Sequence, residues 1–192
     1  MDAIAKIELR TRTRALIRSV SPEDRRGFSE RLQQGMLAQE IWSRARSVLL
    51  FSPLPDEPDI SILIEAAWRV AKTLVLPQTN PATGGYTAAI VSNREALHVG
   101  RFGVLEPVAG CPVIPLNQLD LVLVPGVAFD LSGGRLGRGM GFYDRLLAEV
   151  RGHKCGVAYD LQIVPSVPVE SHDVRVDSIL TPTRWQLCSR PA

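Results

Sequence analysis

Residues 119–126 read LDLVLVPG, a nearly continuous run of aliphatic side chains closed by Pro-Gly. A strand with no polar alternation has no face to offer water, so it belongs inside a sheet covered on both sides. SVLLFS (47–52) and TLVLP (73–77) have the same character, and YTAAIV (86–91), KCGVAYD (154–160) and VDSIL (176–180) read as further strands. YTAAIV follows a turn read at NPATGG (80–85). Helical stretches lie between them. Residues 2–19 form one, with Ile4, Ile7, Leu16 and Ile17 as its apolar markers. A second starts at Ser21-Pro22-Glu23-Asp24, a capping serine followed by proline and acids, and runs to about Trp42. Ile60–Ala71 and 142–150 complete the set. Strands and helices in alternation predict an α/β fold, a three-layer αβα sandwich with a mostly parallel, Rossmann-like sheet.

The length of 192 residues suits a single domain over 1–192, and 45% apolar residues supply a real core. A net charge of +2 with 6% aromatics argues against a nucleic-acid surface, and no apolar run is long enough to span a membrane. Cys111, Cys155 and Cys188 are dispersed with no CxxC pair, which fits a reducing compartment and neither a disulfide framework nor a zinc site. The opening MDAIAKIELR has no signal-peptide pattern, so a cytoplasmic protein is expected.

Directly after the LVLV strand comes GGRLGRGMGFYDRL (133–146), with five glycines and three arginines. In α/β sheets ligands collect at the carboxyl ends of strands, where this loop lies. Bare backbone lets successive N–H groups converge on an anion, the following helix adds its N-terminal dipole, and Arg135 and Arg138 add charge. Asp144, one turn into that helix, has the chemistry to hold Mg²⁺ beside phosphate oxygens. The other reading is a solvated turn whose glycines only permit tight geometry and whose Asp144 caps the helix. The spacing matches neither GxxxxGK[ST] nor GxGxxG.

Lys6, Arg10 and Arg14 stand four apart and share a helix face, either a solvated stripe or a clamp for an anionic ligand. Glu57, in the loop after SVLLFS, is a carboxylate at a strand's carboxyl end. His98, His153 and His172 are scattered and read as structural or surface residues.

Taken in order, these stretches resemble the 5-formyltetrahydrofolate cyclo-ligase (5,10-methenyltetrahydrofolate synthetase) family. The resemblance is carried by Lys6 with Leu9-Arg10, by FSPLPDEPDIS (51–61), by RFGVLEP (101–107), by LDLVLVPGVAFDLSGGRLGRGMGFYDRLL (119–147), and by AYDLQIVPSVPVESHDVRVDSILTP (158–182), which includes Gln162, His172-Asp173 and Asp177. It implies an enzyme in which ATP phosphorylates the formyl oxygen of 5-formyltetrahydrofolate, N10 attacks, and phosphate leaves.

The resemblance assigns ATP binding to Lys6, Arg10, Arg135, Leu136, Gly137, Arg138, Gly139, Met140, Gly141, Phe142 and Tyr143. It assigns folate binding to Arg10, Ser52, Glu57, Phe102, Arg138, Gly139, Met140, Gly141 and Phe142, with Glu57 on the pterin. Arg138 and Tyr143 are the catalytic candidates, and Asp144 and Asp177 the Mg²⁺ ligands. The implied partners are small molecules; a monomer is expected, with an oligomer as the alternative. Met140, Phe142 and Gln78 depart from the family pattern, in which the first loop position is commonly glycine or lysine, the second tyrosine and the third arginine. A paralogue that binds ATP and acts on another substrate is the alternative reading.

Overall fold

The computed structural model describes residues 2–79, 86–100 and 103–189. The turn read at NPATGG and the substrate candidate Phe102 lie outside the described residues. Helices α1 (Asp2–Ser19), α2 (Pro22–Leu37) and α3 (Glu40–Arg44) lead into β1 (Ser47–Leu49). They are followed by α4 (Ser61–Arg69), β2 (Thr73–Thr79), β3 (Tyr86–Ile90), β4 (Leu97–Val99), β5 (Leu105–Pro107) and β6 (Leu121–Pro125). Then come β7 (Ala128–Phe129), β8 (Arg135–Leu136), α5 (Phe142–Glu149), β9 (His153–Val157), β10 (Ser178–Leu180) and β11 (Trp185–Leu187).

Seven strands form one sheet in the order β11-β10-β9-β6-β1-β2-β3. The inner five run parallel, and β3 and β11 are antiparallel edges. Alternation along each strand divides the core between two faces. Val48, Leu74, Leu76, Leu121 and Leu123 pack with Leu32 and Met36 of α2, Trp42 of α3 and Leu63 and Ile64 of α4. Leu49, Val75, Val122, Val124 and Ile179 pack with Leu146 and Leu147 of α5. The expected three-layer α/β arrangement is therefore present, and each large aliphatic buried this way contributes about 1.5–3 kcal/mol.

The long second helix ends early. α2 is capped by Ser21, whose hydroxyl accepts from Asp24 N–H at 3.0 Å, and stops at Leu37. An extended Gln39 then separates it from α3. That break turns Trp42 into the core beneath β1.

The apolar markers of α1 also fall differently from expectation. Ile17 is buried, but Ile4, Ile7 and Leu16 are 66%, 59% and 44% exposed. The inward face carries Lys6 and Thr13, with Leu9 against Ala128, Leu136 and Val167. α1 does not cover the sheet. It lies on β7 and residues 160–162, beside an open cavity, and so its inner face is largely polar.

The order of strand addition reverses between the parallel neighbours β1 and β6: β2 continues outward from β1 on one side, while β9 and β10 continue outward from β6 on the other. The carboxyl ends of two neighbouring strands diverge there and leave a crevice for a ligand.

Candidate active site

A cavity of about 1120 Å³ opens at that point, lined by Phe51 and Ser52 after β1, Leu76 and Pro77 in β2, and Pro125 and Gly126 after β6. This is large for a small-molecule site. The loop 135–144 forms one wall, and Lys6 and Arg10 of α1 approach with residues 170–173.

The glycine-rich stretch divides into two parts with different tasks. Gly133 and Gly134 close the β7–β8 hairpin, where Asp130 Oδ1 accepts the Ser132 and Gly134 N–H groups, each at 2.9 Å. Only the part from Arg135 onward faces the cavity. There Gly139, at φ 100°, and Gly141, at φ 65° and preceding α5, adopt backbone that side chains resist. This favours the cradle over the plain solvated turn. Arg10 steadies the loop by donating Nε–H to Gly137 O at 2.9 Å. Leu136 presents little more than its edge, since its side chain is 1% exposed in the small cluster with Ala128 and Val167. Met140 stands 66% exposed at the rim.

The two loop arginines differ. Arg135 is buried and donates Nη2–H to Asp144 Oδ1 at 2.6 Å, with its guanidinium 5.8 Å from the Tyr143 ring centre. Its Nε has no hydrogen-bond partner among the described residues. Arg138 crosses to the β1 loop, where Nε and Nη2 lie 3.1 and 3.0 Å from Glu57 Oε1 and both terminal nitrogens reach Asp56. Arg14, the third residue of the basic stripe, adds its charge on the Asp56 side.

Burial raises the Glu57 carboxyl above its ordinary value, against the pull of the Leu54 N–H and of Arg138. Asp56 behaves oppositely: burial would raise it, but the Arg138 contacts outweigh that and hold it low. Tyr159 supports this loop from below, its hydroxyl donating to Glu57 O at 3.3 Å. Gln162, fully buried, donates to Gly126 O and Val127 O and so fixes the turn after β6.

Tyr143 is raised well above its ordinary value of 10, by burial first and by the Glu57 charge second, so its phenol stays protonated. The Phe142 ring lies 5.1 Å from Tyr86 and carries the Arg145 guanidinium on it. Ser52 lines the cavity, but its hydroxyl accepts the Leu105 N–H at 2.8 Å. Lys6 is held by Asp173 at 2.7 Å and Glu170 at 3.0 Å.

The expected metal pair does not assemble. Asp144 lines the cavity, whereas Asp177 is absent from its wall and accepts the Lys154 N–H at 2.9 Å. Asp177 precedes β10, and so sits at the amino end of the parallel sheet, while the cavity lies at the carboxyl ends. No group of three His, Cys, Asp or Glu suited to a metal occurs among the described residues. Tyr86, Glu106, Glu170 and Asp173 also line the cavity. Sequence reasoning gave none of them a role. The faint signals were the Glu-Pro of RFGVLEP and the acid beside His172.

A glycine loop with cationic neighbours, facing the buried Glu57 carboxylate and aromatic rings across one large cavity, defines an α/β enzyme site. The chain belongs to the 5-formyltetrahydrofolate cyclo-ligase family, whose family model matches residues 2–182. It is similar to the 5-formyltetrahydrofolate cyclo-ligase of Escherichia coli K12, 33% identical over 88% of this chain and 96% of that one. The enzyme of that name from Mus musculus is 27% identical over 92% and 93%. The solved 5,10-methenyltetrahydrofolate synthetase of Aquifex aeolicus superposes with a TM-score of 0.86 at 34% identity, covering 97% of this chain and 94% of the other. A synthetase of that name from Mycoplasma pneumoniae, at 20% identity, has a TM-score of 0.74 over 92% and 98% and speaks for the fold alone.

Proposed function

We propose that this chain catalyses the ATP-dependent closure of 5-formyltetrahydrofolate to 5,10-methenyltetrahydrofolate, with release of ADP and phosphate. The observation that carries this reading is the juxtaposition of an anion cradle (137–141, with Arg10 and Arg138) and a buried carboxylate, Glu57, within one cavity. Transfer of a phosphoryl group to the formyl oxygen turns a poor leaving oxygen into phosphate, and N10 then attacks the activated carbon. Such chemistry needs charge neutralisation and positioning more than covalent help.

On this reading Lys6, Arg10 and the 136–143 loop receive the ATP phosphates, and Arg138 stabilises charge on the transferring group. Arg135, committed to Asp144, orients that carboxylate and does not itself reach phosphate. Glu57 accepts the N–H donors of the pterin ring, and Ser52 shapes the pocket through Leu105. Tyr143 offers a protonated phenol to the reacting oxygens.

The donor set fits Mg²⁺ through one carboxylate. Among the described residues, both contacts of Asp144 fall on Oδ1, and its Oδ2 is the atom that would hold the cation. When bound, Mg²⁺ would neutralise phosphate charge there. Because one chain supplies every residue named, the working form we propose is a monomer. Three free thiols support a cytoplasmic setting. Among the described residues, no helix is long and apolar enough to cross a membrane.

The test is direct. Purified protein mixed with 5-formyltetrahydrofolate, Mg²⁺ and ATP should develop the near-ultraviolet band of the methenyl product, and no band without ATP. A flat trace from folded protein that binds ATP would overturn the reading in favour of a relative acting on another substrate.

A further inference from the structure

Five carboxylates line the cavity among the described residues, and four of them are matched by cations. Glu57 meets Arg138, Asp144 meets Arg135, and Glu170 and Asp173 share Lys6. Glu106 has no ion-pair partner and no side-chain hydrogen bond among the described residues. A carboxylate left this way on a cavity wall is an open acceptor.

Its position is nevertheless tightly defined. Glu106 is the middle residue of β5, which pairs with β4 through the His98–Glu106 register. On one side of it, Leu105 N–H donates to Ser52 Oγ at 2.8 Å. On the other, Gln78 Nε2 donates to Pro107 O and Val108 O, both at 3.1 Å. β5 is thus tied at one end to the segment after β1 and at the other to β2. Gly100 makes room for the carboxylate, since a Cβ there would lie 2.2 Å from Glu106 Cδ and 2.5 Å from Oε1. Gln78, a departure from the family pattern, therefore serves as a tether for the Glu106 segment.

Glu106 and Glu57 act on the same neighbour. Burial raises the Tyr86 phenol, and the two negative charges raise it further, Glu106 more than Glu57. Tyr86 lines the cavity and packs against Phe142 and Tyr143. The apolar and aromatic end of the cavity therefore presents two carboxylates, one of them open, around a protonated phenol. That suits a planar or partly reduced heterocycle rich in N–H donors, and it disfavours an anionic group.

We infer that Glu106 is a substrate-recognition residue: with β5 clamped by Ser52 and Gln78, its carboxylate accepts a hydrogen bond from an N–H of the reduced pterin that Glu57 does not take. The inference rests on the proposed folate reading. It adds a second acceptor from a different strand, so the ring is read at two points and its orientation is set as well as its presence.

The experiment compares wild type, Glu106→Gln and Glu106→Asp. It measures the dissociation constant of 5-formyltetrahydrofolate without ATP by calorimetry, the KM of each substrate, and the melting temperature. The expected result is at least a tenfold rise in the dissociation constant and KM for the folate in Glu106→Gln, an unchanged KM for ATP and an unchanged melting temperature. Glu106→Asp should fall between. Folate binding by Glu106→Gln within twofold of a competent wild type would overturn the role of Glu106 alone, and so would equal losses for both substrates with a lowered melting temperature. A folded wild type that does not bind 5-formyltetrahydrofolate would overturn the underlying functional reading, and the inference with it.

Discussion

Arg138 and Glu57, 81 residues apart in sequence, meet across the cavity, with Nε 3.1 Å and Nη2 3.0 Å from one carboxylate oxygen. The residue proposed to stabilise the phosphoryl group and the residue proposed to hold the pterin are thus ion-paired with each other. This ion pair links the residue proposed for the phosphate end of the cavity to the residue proposed for its heterocycle end.

Replacing Arg138 should therefore affect rate more than folding. Arg138→Ala is expected to lower kcat by about 10²–10³-fold, the scale seen when one preorganised donor to developing charge is removed. Arg138→Lys should recover little, because an ammonium does not reproduce the planar fork. Steady-state kinetics with both substrates varied is the check, and a kcat within threefold of wild type would refute the role.

Glu57 gives a pH dependence with a defined sign. Its folded carboxyl lies above the ordinary value of 4.5, chiefly through burial. Its contribution to stability is thus fully present below the unfolded value and lost as pH rises through the folded one. Folate binding to the carboxylate runs the other way and strengthens as pH rises through that same folded value. Removing the Arg138 charge should move this midpoint upward. A folate KM measured from pH 4 to 8 in wild type and Arg138→Ala tests it, and a midpoint that stays put would refute the coupling.

Asp144 and Arg135 form a mostly buried pair, with side chains 17% and 3% exposed. Asp144→Ala leaves a guanidinium buried without its partner and should cost roughly 3–5 kcal/mol in urea unfolding. Asp144→Asn should be milder in stability yet still raise the Mg²⁺ concentration needed for half-maximal rate. Normal Mg²⁺ dependence in the asparagine variant would remove Asp144 from the proposed cation site.

Lys6 and Asp173 pin α1 to the segment 170–173. Burial alone would lower the Lys6 amine, but the Asp173 and Glu170 contacts outweigh it and leave it raised above 10.5. Burial would likewise raise Asp173, but the Lys6 contacts and the Glu170 N–H together outweigh it and hold it below 3.8. The pair's contribution is present between those values. It is lost as pH falls through the folded value of Asp173 and as it rises through that of Lys6. Asp173→Asn should cost about 1.5–3 kcal/mol near neutrality. The deficit should shrink as pH falls through the folded value of Asp173, which denaturant unfolding at a series of pH values from 7 downward would reveal.

Much of the fold was legible in the chain. LDLVLVPG and SVLLFS are buried on both faces and became adjacent parallel strands, because aliphatic runs of that length have no other way to leave water. The 135–144 loop was legible for a similarly local reason, since clustered glycines after a strand announce backbone meant to approach something. The break at Ala38-Gln39 was missed because helix propensity runs through it, and Trp42 had to turn under the sheet. The face of α1 was misjudged because Ile4 and Ile7 look like core, whereas a cavity wall needs Lys6 and Arg10 on the inside.

What the amino-acid sequence alone determined was the layered α/β sheet, its buried strands and the glycine-rich stretch that leads into α5. These follow from short-range patterns of apolarity and backbone freedom. Tertiary structure alone decided that Arg138 faces Glu57, that Arg135 belongs to Asp144, that Asp177 lies at the far end of its strand, and that Glu106 lines the cavity between two tethers. Such relationships depend on which strand ends diverge at the reversal between β1 and β6, and chain spacing carries no record of side-chain proximity across that gap.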